Sequence, residues 1–275
     1  MRLLISECER LFSRKLIWLL YLAIPLSAFG ALQYHLKRNH EVGITSPEYS
    51  SVYTFPVNAL HEMLPFFFNL FLLVLIVLSV TEEYRGGELR LILIRQYSKA
   101  EVFFAKLGAV WLLLLAGLLL FYLSSQIIGW LALTKVNAIY LFYHQETFSV
   151  SEVFFYIIKF YLLTLVTLSV LIFVFFWIAI ISPRVTVAMG LGIGYLFLSI
   201  TFDIIMGIIQ THVNSPNLLV LFLMNFTITR VEFQGIHLML ANPFNFMFFS
   251  LVLAVYLLLF GMLSFFYFTK KDYYY

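Results

Sequence analysis

Six long apolar runs constrain the fold of this 275-residue chain more than any other feature. They cover residues 16–32, 63–80, 107–134, 153–182, 185–209 and 244–268. Since a helix of about 20 apolar residues crosses the hydrocarbon core of a bilayer, each run is typical of a transmembrane helix. The chain is 63% hydrophobic and 11% charged, which leaves too little polar surface for a soluble enzyme or binding module. We therefore predict an all-α polytopic membrane protein, with residues 1–275 forming a single domain of six transmembrane helices.

The segment before the first run has its own helical pattern. Its apolar side chains are spaced as one stripe of a helix: Leu4, Cys8, Leu11 and Phe12. Residues 1–15 are therefore predicted to form an amphipathic helix on the membrane surface. The alternative is a frayed, charged N-terminus.

The distribution of positive charge predicts the orientation of the chain. With the N-terminus inside, 12 of the 17 basic residues face the cytoplasm. These are Arg2, Arg10, Arg14, Lys15, Arg85, Arg90, Arg95, Lys99, Lys106, Arg184, Lys270 and Lys271. Short cytoplasmic loops carry an excess of Lys and Arg, so we expect both termini in the cytoplasm and a multi-pass protein of a bacterial cell membrane.

The segment between the fifth and sixth runs, residues 210–243, is unusual. Its apolar core, Leu218 to Phe226, has nine residues and is too short to cross the bilayer as a helix. Pro216 precedes this core and Pro243 ends the segment. We predict an outer, partly re-entrant segment, and the alternative is an apolar loop.

Nucleotide and metal chemistry have no sequence support. The chain lacks the GxxxxGK[ST] phosphate-binding loop and the HExxH zinc motif, so we predict no catalytic residue and no metal site. Gly190 and Gly194 have the small-xxx-small spacing of a helix-packing face. All six histidines fall in the predicted outer connections, where they are interpreted as polar loop residues; a pH or metal sensor is the alternative.

Two ionisable residues interrupt the apolar runs. Lys159 lies in the fourth run and Asp203 lies in the fifth. Charges within lipid are costly, so each is a functional hypothesis. We expect the two residues either to line a transport pathway or to form a structural ion pair.

The connection between the second and third runs, residues 81–106, is the most charged stretch of the chain. It suits docking to a soluble protein, although a solvated loop with positive-inside charges explains the same composition. Its elements are an acidic pair at Glu82–Glu83, Gly87–Glu88–Leu89, Gln96–Tyr97–Ser98–Lys99 and Ala105–Lys106. With six spans and an N-terminal amphipathic helix, the chain resembles the membrane subunit of ATP-binding-cassette type 2 exporters. Glu88 replaces the usual threonine, Gln96 a frequent proline and Lys99 a common arginine.

The resemblance implies a permease subunit without a nucleotide site of its own. A separate cytoplasmic ATPase would bind ATP and Mg, and the loop would rest on it as a coupling helix. A second copy, or a related permease, would complete a pathway that exports an amphipathic peptide, lipid or drug. The implied coupling residues are Glu82, Glu83, Arg85, Gly87, Arg90, Ser98 and Lys99, together with Arg10 and Arg14. The alternative is an intramembrane enzyme or a sensor without an ATPase, and the net charge of +3 is too small to indicate a nucleic-acid partner.

Overall fold

The computed structural model describes residues 2–83, 97–136, 138–144, 146–212 and 225–271. The helices in these ranges are α1 (Arg2–Phe12), α2 (Lys15–Glu41), α3 (Phe55–Glu82), α4 (Lys99–Ala132), α5 (Val150–Ile181), α6 (Val185–His212), α7 (residues 228–241) and α8 (Pro243–Lys270). All except α1 and α7 are long and apolar enough to cross a membrane. The prediction of an all-α polytopic membrane protein with six transmembrane helices is therefore confirmed.

The helices α3 and α5 form the centre of the bundle. In its most apolar window, α3 is 72% buried within the chain, whereas α6 and α8 are each 22% buried. The remaining spans surround this centre and turn apolar side chains outward, which suits contact with lipid acyl chains. Charged or polar groups attached to α3 therefore lie in the most enclosed part of the molecule.

The helix α3 is interrupted by two π-helical turns, Leu64–Phe68 and Leu78–Glu82. Pro65 lies in the first turn and has no N–H to donate, which removes one hydrogen bond of a regular α-helix. The first turn is followed by the buried Asn69, and the second is followed by the buried Glu83. Each irregularity thus precedes a polar side chain in the interior.

The helix α7 is short and buried. It consists of Ile228–Arg230, a π-helical turn at Val231–Gly235, and Ile236–Ala241. Glu232 contacts Asn69 near the middle of α3, so α7 reaches that depth before the chain continues into α8. Most of the predicted re-entrant core lies outside the described residues.

Polar residues fix the starts of the long helices. The Ser98 N–H donates to Glu101 Oε2 at 2.8 Å and the Glu101 N–H donates to Ser98 Oγ at 3.2 Å, a capping box that begins α4.

Between α4 and α5, β1 (Ile139–Tyr140) and β2 (Thr147–Phe148) form a two-stranded antiparallel sheet.

Both ends of the described chain lie at the same end of the bundle. Lys99, at the start of α4, donates to the carbonyl oxygen of Lys271 at 2.8 Å. At Gly108 of α4, a Cβ atom would lie 2.8 Å from Leu4 Cδ1, so glycine permits the close approach of α1. We call this the charged end, after Glu7, Glu83 and Lys106, and the opposite end the histidine end.

Candidate functional site

A buried charge network connects three elements at the charged end. Lys106 of α4 donates to Glu7 Oε2 of α1 at 3.0 Å, to the Ser79 carbonyl oxygen at 2.8 Å, and to Glu83 at the end of α3. The side chains of Lys106, Glu7 and Glu83 are at most 1% exposed. Charges buried this completely are stable only when paired, so these contacts hold α1, α3 and α4 together.

Two arginines complete the network. Arg10 Nη2 lies 2.9 Å from Glu83 Oε2, and Arg10 also pairs with Glu7. Arg14 pairs with Glu82, and its Nη2 lies 3.7 Å from Glu83 Oε1. With Lys106, three cations face three carboxylates, so the network is electrically balanced.

A groove beside the network opens between α1 and the first turns of α4. Its volume is about 630 Å³, and its lining includes Leu3, Leu4, Tyr97, Ala100, Glu101, Phe104 and Ala105. The groove therefore adjoins the point where the chain leaves the 84–96 connection and enters α4. The groove combines apolar side chains with the polar side chains of Tyr97 and Glu101.

A second polar group lies in the interior of the bundle. Asn69 Nδ2 of α3 donates to Glu232 Oε2 of α7 at 2.7 Å, and both side chains are fully buried. Asp203 of α6 accepts hydrogen bonds from the hydroxyl groups of Thr227 and Thr229. Sequence reasoning found Asp203 but missed Asn69 and Glu232.

The histidine end contains packed imidazoles rather than loop histidines. Tyr156 Oη lies 2.8 Å from His237 Nδ1, and the rings of His61 and His237 are 4.9 Å apart. Burial, together with the neighbouring His61 and His144, lowers the pKa of His237 well below its usual value. The interpretation as loop residues is wrong for the five histidines that lie in helices: His35, His40, His61, His212 and His237. His144 lies in the connection between β1 and β2. Within the described ranges, no group of three or more His, Cys, Asp or Glu side chains is placed to hold a metal ion.

Residues 17–274 match the model of DUF2705, a family described as a protein of unknown function. The chain belongs to this family. The match begins in the first turn of α2 and therefore includes Glu83 and Lys106, while Glu7 and Arg10 of α1 precede it. A comparison with curated proteins found no match.

The structure of this DUF2705 chain changes the set of coupling residues implied by the sequence. Glu83 is fully buried, so its assignment to a surface that contacts an ATPase is corrected to an internal ion-pair role. Glu82 is 45% exposed and remains accessible, whereas Arg10 and Arg14 are largely covered by their ion pairs. Arg85, Gly87 and Arg90 lie outside the described residues.

Ser98 and Lys99 both have internal contacts in the DUF2705 chain. Ser98 caps α4 through its contacts with Glu101. Lys99 reaches the backbone of Lys271 at the end of α8. These two residues therefore stabilise the charged end, and Ser98 also remains exposed.

The hypothesis of an ion pair between Lys159 and Asp203 is wrong. Asp203 is buried against Thr227 and Thr229, whereas Lys159 is exposed on α5 and forms no ion pair with the described residues. Of the two residues, only Asp203 lies in the interior of the bundle.

The structure shows how the predicted glycine face of α6 lies relative to the rest of the chain. A Cβ atom at Gly190 or Gly194 would meet nothing within 4 Å, so neither glycine packs against a helix of the same chain. Gly192 is the packed residue, because a Cβ atom there would clash with the Leu73 side chain of α3. Within this chain, Gly192 is therefore the glycine through which α6 packs against α3.

Proposed function

We propose that this chain is the membrane permease subunit of an ATP-binding-cassette transporter. It exports an amphipathic substrate, such as a peptide, a lipid or a drug, with energy from ATP hydrolysed on a separate ATPase subunit. The single observation that carries this proposal is the buried charge network of Glu7, Glu83 and Lys106. It fixes both anchor points of the charged 84–96 connection to each other and to α1.

The network lies where it can transmit force between two helices. Glu83 ends α3, and Lys106 lies in the second turn of α4, so the network joins the two helices on either side of the connection. Because ion pairs are strong in a low-dielectric interior, the two helix ends resist separation. A partner that pushes on the connection therefore moves α3 and α4 as one rigid body, the kind of motion that switches a transport pathway. Since α3 is the most enclosed span, the motion reaches the centre of the bundle.

We assign the charged end to the cytoplasm because of its excess of Lys and Arg. The ATPase, with its ATP and Mg, docks there on the 84–96 connection, the exposed Glu82 and the groove beside Tyr97. The groove offers apolar surface and the carboxylate of Glu101, which complement a partner surface with apolar and basic side chains. Glu83 anchors the connection from inside.

A second permease copy is the proposed partner within the membrane. Gly190 and Gly194 lie one helical turn apart on α6, with open space where a side chain would project. Small residues at this spacing allow the backbones of two helices to approach closely in a bilayer. We assign this face of α6 to the contact between the two permeases, either identical or related.

Co-purification from native membranes tests the proposed function. The full chain carries an affinity tag and is extracted in mild detergent. Its co-purifying partners are then identified by mass spectrometry and assayed for ATP hydrolysis. We expect the wild type to recover a nucleotide-binding ATPase and the Arg90→Glu variant to lose it. Lys135→Glu is the matched control, since Lys135 is exposed beyond the opposite end of α4. Recovery of the wild-type chain without any ATPase would contradict the proposal. Equal recovery of the ATPase with the wild type, Arg90→Glu and Lys135→Glu would also contradict it.

The second candidate is a sensor without an ATPase, and the packed histidines favour it. His35 and His61 line a cleft of about 180 Å³ at the histidine end, together with Arg38 and Glu48. Protonation of these imidazoles would alter that end of the bundle. A sensor predicts an acid-induced conformational change without a co-purifying ATPase, so the same purification separates the two candidates.

A further inference from the structure

The fully buried carboxyl group of Glu232 has a hydrogen-bond partner at only one of its two oxygen atoms. Asn69 Nδ2 donates one hydrogen to Glu232 Oε2 at 2.7 Å and the other to the Pro65 carbonyl oxygen at 3.0 Å. Both donors of the Asn69 amide are therefore used. Glu232 forms no ion pair with any residue in the described ranges.

Two buried oxygen atoms at this contact have no hydrogen-bond partner among the described residues: Glu232 Oε1 and Asn69 Oδ1. An ionised carboxylate has only acceptors, and so has an amide oxygen. The contact therefore lacks a donor, and unsatisfied polar atoms of this kind are unfavourable in an apolar interior. A proton on Glu232 supplies the donor, because a protonated carboxyl group carries one O–H.

The surrounding ionisable groups also favour a neutral Glu232. Asp203 interacts unfavourably with a charge on Glu232, and it differs from Glu232 in its hydrogen bonds, because it accepts from the hydroxyl groups of Thr227 and Thr229. The hydroxyl group of Tyr195 interacts electrostatically with Glu232, and that of Tyr256 interacts electrostatically with Asp203. Because Glu232 accepts from one donor and Asp203 from two, Glu232 is the carboxyl group of the two that holds a proton more readily.

We propose that Glu232 is a proton-binding site in the interior of the membrane domain. Its carboxyl group holds a proton at neutral pH, and the O–H group donates a hydrogen bond to the Asn69 amide oxygen, Oδ1. On release, the O–H bond of Glu232 breaks, the proton passes to water and a carboxylate remains. The carboxylate then has the single Asn69 Nδ2 donor and no ion-pair partner among the described residues, so proton release loosens the contact between α7 and α3.

Infrared spectroscopy of the full chain in lipid nanodiscs tests this site, because protonated carboxyl groups and carboxylates absorb in separate bands. At pH 7, the spectrum of Glu232→Gln subtracted from that of the wild type should show one protonated carboxyl band and no carboxylate bands. Glu146→Gln is the matched control: Glu146 is exposed, so its difference spectrum should show carboxylate bands. Carboxylate bands in the Glu232→Gln difference would overturn the proposal.

A second variant keeps the test decisive if Glu232→Gln does not fold. Asn69→Leu removes the amide, so the protonated carboxyl band of Glu232 should move to higher frequency as its hydrogen bonds are lost. An unchanged band in this variant, or a wild-type spectrum without any protonated carboxyl band at pH 7, would equally overturn the assignment. Raising the pH should remove the band and increase hydrogen exchange in Val231–Gly235 of the wild type.

Discussion

Replacing Lys106 by methionine tests the charge network most sharply. Methionine has a similar length and no charge, so the packing of α4 is largely preserved while the ion pairs to Glu7 and Glu83 are lost. The Ser79 carbonyl oxygen also loses its donor at 2.8 Å. Removing one partner of a buried ion pair costs about 3–5 kcal/mol, because the opposite charge stays buried. We expect the lower part of this range, since Arg10 and Arg14 still face the carboxylates.

The free energy of unfolding is measured in mixed micelles by titration with denaturing detergent. Lys135→Met is the matched control, since Lys135 is exposed and should change the free energy by less than about 0.5 kcal/mol. Adding Glu83→Gln to Lys106→Met restores the charge balance of the network. The double variant should therefore recover at least half of the lost stability.

Equal stability of Lys106→Met and Lys135→Met would contradict a stabilising role of the network. So would a double variant in which Glu83→Gln adds its own full cost to that of Lys106→Met, because independent costs would mean that the two side chains do not interact.

Three further predictions concern other parts of the molecule. Because burial lowers the pKa of His237, the unfolded chain binds a proton at this residue first as the pH falls. The contribution of His237 to stability should therefore decline below about pH 6.5, by up to about 1.4 kcal/mol per pH unit, and His237→Gln should reduce the pH dependence of unfolding in detergent by this amount. Gly192→Val should destabilise the chain by about 1–3 kcal/mol through its clash with Leu73, whereas Gly194→Val should leave the stability of the single chain unchanged in the same assay. Ser98→Ala should cost about 1 kcal/mol through loss of the α4 cap, seen as faster hydrogen exchange in the first turn of α4.

The sequence was sufficient to predict the spans, because hydropathy alone identifies segments that must be buried in lipid. It placed their ends less well. The first apolar run stops at residue 32, yet α2 continues to Glu41, and α3 begins at Phe55 rather than at residue 63. Backbone hydrogen bonding extends a helix past its apolar part, and this extension moves His35 and His61 from loops into packed helices.

The charge network was beyond sequence reasoning because its pairs are distant along the chain. Lys106 and Glu7 are separated by 99 positions, and each residue alone matches a solvated positive-inside or amphipathic pattern. Glu232 was missed for a similar reason: it lies in a polar segment whose burial depends on how α7 packs against α3. The acidic pair at Glu82 and Glu83 was noticed, but the inward direction of Glu83 comes only from the tertiary structure.

The most direct test of the permease proposal is site-specific photo-crosslinking in native membranes. A photoreactive residue replaces Arg90 in the 84–96 connection in one variant, and Lys135 at the opposite end of α4 in the other. The account predicts a covalent adduct with a nucleotide-binding ATPase from position 90 and none from position 135. No ATPase adduct from position 90, or the same adducts from both positions, would contradict it.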